Sequence, residues 1–138
     1  MWFYYALLSA LFAAFTAVFA KIGVANISSN LATGIRTVII LIMVWSIVLI
    51  KGDLKGIGSL SKMNITFLVL SGVATGLSWL FYFKALQIGK ISQVASVDKL
   101  SVAIAIILSV LFFKETLTLK TTIGALLIIS GTILFALK

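Results

Sequence analysis

Five long apolar runs, separated by short connections that carry most of the lysines, decide what this chain can fold into. They cover residues 2–20, 31–50, 63–83, 91–113 and 121–137. An α-helix rises about 1.5 Å per residue and needs about 20 residues to cross a hydrocarbon core about 30 Å thick. The first and third runs reach that length with no charge inside, and the fifth lies at the short end of the range. The second and fourth reach it only by enclosing charge. Between Arg36 and Lys51, and again between Lys99 and Lys114, the uncharged stretch is 14 residues, about 21 Å of helix. Each of these spans must begin upstream, near Leu31 and Ile91, which draws Arg36, Asp98 and Lys99 into the membrane.

Composition supports the same reading. Hydrophobic residues make up 62% and charged residues 10%, against about 45–50% and about 25% in ordinary soluble domains. The few polar residues could not cover a soluble surface, so the apolar excess faces lipid. The expected class is an all-α integral membrane protein with five transmembrane helices, one domain over residues 1–138, multi-pass in the cell inner membrane. The opening run has no Lys or Arg before Lys21 and is long enough to span, so it reads as a retained first helix and not a signal peptide.

The net charge of +8 does not point to nucleic acid, because the basic residues fall mostly between apolar runs and form no stripe. The chain has neither Cys nor His, and its acids are Asp53, Asp98 and Glu115, scattered singly. No thiol chemistry, imidazole metal site or carboxylate cage is expected, nor any cofactor, nor a nucleophile–base pair of the kind an enzyme would need.

With five spans, Lys51, Lys55, Lys62, Lys114 and Lys120 fall on one side, and Lys21, Lys84, Lys90 and Lys138 on the other. Orientation follows the Lys/Arg bias of short loops, so this near tie gives the insertion machinery no clear instruction. Either the count is noise in a small protein, or copies insert both ways up and pair antiparallel. An odd number of spans makes such a pair an inverted repeat, a common transporter architecture.

Treated as one continuous helix, the fourth span places Ala95, Asp98, Ser101, Ala105 and Ser109 on one small, polar face, with Lys99 turned about 100° away. Arg36 and Asp98 would lie at equal depth and could pair. Two readings of Asp98 and Lys99 stand: a buried pair that fixes assembly, or groups lining a translocation path. Trp79 lies within the third span rather than at its edge and is the candidate cavity aromatic. Gly72 and Gly76, in GVATG, offer a small-residue surface for helix contact.

The pattern of Ala85 and Leu86 closing the third span, Glu115 with Leu117 and Thr118, Gly124 and Gly131, and Arg36 early in the second span resembles the EamA family of the drug/metabolite transporter superfamily. Typical members carry two such five-helix units, inverted, with a substrate cavity between them. The resemblance therefore implies a single-unit member working as an antiparallel homodimer in the bilayer, as the small multidrug resistance proteins do. It implies alternating-access transport, and the equal depth of Arg36 and Asp98, which leaves Lys99 as surplus positive charge, suits a small anionic or zwitterionic metabolite, with Asp98, Lys99, Arg36, Ser101 and Trp79 as substrate-binding candidates. Two alternatives are a proton-coupled exporter of organic cations acting through Asp98, and a non-transporting membrane subunit. Where family members often carry a proline, this chain reads VDKLS. Its first span also lacks the acid through which small multidrug proteins bind cations.

Overall fold

The computed structural model describes residues 1–137; Lys138, counted above among the basic residues of one side, lies outside the described residues. The described chain is helical throughout, with helices α1 (Trp2–Gly23), α2 (Ser29–Lys51), α3 (Lys62–Ile88), α4 (Ile91–Asp98), α5 (Leu100–Phe113) and α6 (Leu119–Ala136). Five stretches are long and apolar enough to span: α1, α2, α3, α4 together with α5, and α6. Among the described residues, the buried apolar side chains are Ala17, Val24, Phe83, Leu86 and Ala103. Leucines, isoleucines and phenylalanines along the spans are mostly exposed, the distribution expected of helices whose solvent is lipid.

Helix ends follow local chemistry. Gly52 takes the left-handed conformation at φ 72°, and its N–H donates to the Leu49 carbonyl at 3.2 Å, closing α2 where a Cβ would be strained. A 3₁₀ helix over Asp53–Ser59 fills the second connection. The Thr118 hydroxyl accepts from the Thr121 N–H at 3.1 Å and starts α6. Lys114 ends α5 at φ 53°, a left-handed position held by a residue other than glycine.

Two features depart from the expected outline. Helix α3 runs on to Ile88, past the expected end at Phe83, because Leu86 packs fully buried and holds the extra turn in place. The fourth span is not one helix. It is interrupted at Lys99, where 3₁₀-type bonding separates α4 from α5. Lys99 has ψ −10°, its N–H donates to Ser96 three residues back, and its carbonyl accepts from Val102 three residues on. Local sequence favours the interruption. The Ser96 hydroxyl bonds back to the Ser92 carbonyl at 2.6 Å, a contact that bends helices, and Val97 and Asp98 are poor helix formers.

The chain divides into two compact units, one formed by Met1–Val18 with the chain from Ile88 onward, the other by Phe19–Gln87. In the first, α6 packs against both α4 and α5. In the second, the end of α1 and the start of α2 are tied to the end of α3. The Lys21 ammonium donates to the Leu86 carbonyl at 2.6 Å, and the Gln87 amide donates to the carbonyls of Val24 at 3.2 Å and Ile27 at 2.9 Å. These bonds satisfy carbonyls that helix ends and turns leave open.

Candidate functional site

The two opposite charges that stand side by side in an apolar run fall where α4 gives way to α5. Asp98 is the last residue of α4 and Lys99 is the single residue between α4 and α5, so both charges sit at the junction of the two helices. Their charged groups lie 3.8 Å apart, and both side chains keep substantial exposure, 39% for Asp98 and 58% for Lys99. Ser101 is exposed in the first turn of α5. The Ser96 carbonyl, which accepts the Lys99 N–H, also accepts the Thr132 hydroxyl of α6 at 3.1 Å. Thr132 is itself buried. The backbone at Lys99 stays in the right-handed helical region with 3₁₀-type bonds, and Thr132 ties this turn to α6.

In the other unit the structure brings Arg36 and Trp79 together. The Arg36 guanidinium carbon lies 4.6 Å from the Trp79 ring centroid and 5.0 Å from that of the buried Phe83. Its planar cation thus rests on aromatic faces, an arrangement suited to a weakly hydrated charge in a low-dielectric setting. The sequence candidates therefore form two groups: Asp98, Lys99 and Ser101 at the helix break, and Arg36 with Trp79 on α2 and α3.

Three participants escaped the sequence reading. Thr132 stands in an apolar run next to Gly131, and its position there was the available signal. Phe83 looked like a span-end residue. Gln87 fell in a segment read as a connection, although an uncharged amide beside a lysine at a span end is suited to capping a neighbouring turn. Among the described residues, no group of three or more metal-ligating side chains occurs.

Residues 1–137 match the model of the EamA-like transporter family. The chain is 48% identical over 135 residues to a Sinorhizobium protein described as an uncharacterized transporter in the cobO 3′ region, covering 98% of this chain and 96% of that one. It is 33% identical over 88 residues to a probable 4-amino-4-deoxy-L-arabinose-phosphoundecaprenol flippase subunit, ArnF, of Pseudomonas savastanoi pv. phaseolicola, covering 62% of this chain and 64% of that one. No solved structure matches the chain. A family match along the whole described length, together with five apolar helices of spanning length, places this multi-pass inner-membrane protein in the EamA-like transporter family.

Proposed function

We propose that the chain moves a small anionic or zwitterionic metabolite by alternating access, as an antiparallel homodimer that completes an inverted repeat. The observation carrying this reading is the interrupted fourth span. Transporter sites recur where a membrane helix breaks and its half-helix ends and backbone groups become available to substrate. The groups that would meet the substrate are Asp98, Lys99 and Ser101 at the break and Arg36 and Trp79 in the second unit. Lys99 beside Asp98 disfavours a bound cation and supports an anionic or zwitterionic cargo over an organic cation.

Exposure supports a second copy. Charged side chains 39% and 58% exposed at membrane depth must face protein or water, since lipid contact at the centre costs about 2.5–3.5 kcal/mol or more each. The apolar stretch of α3 has no buried residue, and a Cβ built on Gly72 or Gly76 meets nothing within 4 Å, which leaves that surface open to a partner helix. A relative described as a flippase subunit supports a second reading, in which the partner is a different membrane chain.

Reconstitution of the purified protein alone tests both. Liposomes are loaded with a panel of labelled amino acids, carboxylates and organic cations, and flux is compared between the wild type and Lys99→Met. Uptake of an anionic or zwitterionic compound, falling about tenfold in Lys99→Met with the dimer intact, is the expected result. Proton-linked flux of organic cations alone would overturn the cargo assignment. Flux only after a second membrane protein is added would replace the homodimer with a heteromer.

A further inference from the structure

The amino-terminal end of α2 and the last turns of α3 enclose a cleft of about 530 Å³ inside the unit Phe19–Gln87. One wall is polar: Ser28, Ser29 and Asn30 from the start of α2, with Lys84 from α3. The opposite wall is apolar, made by Leu77, Leu80 and Phe81, all exposed on the membrane-spanning part of α3. Helix α2 is 23 residues long, has no acidic residue in its first turn, and its cap residue Ser28 makes no side-chain cap bond. Its first N–H groups therefore keep the positive end of the helix uncompensated toward the cleft.

Ser29 points to a ligand independently of the helix end. It is 94% buried and lines the cleft, its carbonyl accepts the Thr33 hydroxyl, and its own hydroxyl has no hydrogen-bond partner among the described residues. Lys84 donates to the Gln87 side-chain oxygen at 3.3 Å, and an ammonium has two further donors to offer. Gln87 is fixed by its two bonds to the α1–α2 turn, so it presents Lys84 to the cleft from an anchored position. No acid lines the cleft, and Asp53 of the same unit lies beyond the opposite end of α2.

From these contacts we infer that the cleft is a binding site for the phosphate headgroup of an anionic phospholipid, with the phosphate on Ser29, Lys84 and the α2 N–H groups and the acyl chains along Leu77, Leu80 and Phe81. The apolar wall favours a lipid over a free anion, because it continues onto the lipid-facing surface of α3. The site also lies where the apolar runs begin and end, at headgroup level, where basic residues attract anionic lipid.

The test uses the full chain purified in an uncharged detergent. Native mass spectrometry follows binding of three probes: dioctanoyl phosphatidylglycerol, dioctanoylglycerol with the same tails and no phosphate, and inorganic phosphate with no tails. Wild type should bind one phosphatidylglycerol per chain at least about tenfold more tightly than either other probe. Lys84→Met should lose about tenfold, Ser29→Ala about three- to tenfold, and Lys84→Arg should retain binding, with Lys55→Met as the distant control. Ser29→Ala removes a single oxygen, so it reads the site even if Lys84→Met unfolds. Equal binding of inorganic phosphate and phosphatidylglycerol would make this a free-anion site. Retention in Ser29→Ala and Lys84→Met equal to the Lys55→Met control would overturn the site altogether.

Discussion

The Arg36 guanidinium sits over the Trp79 ring at 4.6 Å and beside the Phe83 ring at 5.0 Å, so a charge forced into the second span by the length of its apolar run has found aromatic faces on α3. A desolvated contact of this kind contributes about 2 kcal/mol. Trp79→Leu should therefore lower thermal stability in detergent, and Trp79→Phe should recover part of the loss. In a double-mutant cycle with Arg36→Met, a coupling of about 1 kcal/mol or more is expected; strict additivity would mean the contact contributes nothing.

Thr132→Val keeps the shape of the side chain while removing the donor to the Ser96 carbonyl. It should destabilise the protein by about 1 kcal/mol, and Thr132→Ser should restore most of it. Amide exchange should rise around Ser96–Lys99 in the valine variant. Unchanged exchange there would mean the broken helix holds itself without α6.

Gln87→Leu removes both donors to the α1–α2 turn at once. The carbonyls of Val24 and Ile27 lose their partner, and a cost of about 1–2 kcal/mol is expected. Protease cleavage within residues 24–28 should accelerate, whereas cleavage in the 3₁₀ segment Asp53–Ser59 should not.

Gly76→Leu separates packing within one copy from packing between copies. Space around Gly76 is open, and leucine is the better helix former by about 0.5–0.8 kcal/mol, so the single chain should fold at least as well. If α3 meets a second copy through its glycine surface, chemical cross-linking of dimers should fall sharply in this variant. Undiminished cross-linking would move the interface elsewhere.

The near-equal lysine counts on the two sides predict mixed orientation. Carboxyl-terminal reporters active on opposite sides of the membrane should both give signal from the wild-type chain. Adding two lysines to the connection between α2 and α3 should silence one of them. A wild-type chain with a single active reporter would show that orientation is fixed by something other than loop charge.

Sequence alone determined that this chain crosses a membrane five times. Spanning depends on the length and apolarity of a continuous segment, both local properties, so residues 63–83 and 121–137 announce their role without any partner. The same arithmetic forced Arg36, Asp98 and Lys99 inward, because neither flanking run of 14 residues reaches across by itself. What became of those charges was a tertiary matter. The VDKLS stretch is tied to a hydroxyl on α6, which donates to the Ser96 carbonyl from 36 residues away. Arg36 is seated by an indole on α3, and Gln87 caps a turn 60 and 63 residues earlier in the chain. A periodic pattern carries no information about such meetings, since it records which face of a helix is apolar but not which neighbour that face will find. Hydrophobic length is read one segment at a time, whereas a helix break, a seated cation and a capped turn each exist only when two distant segments arrive together.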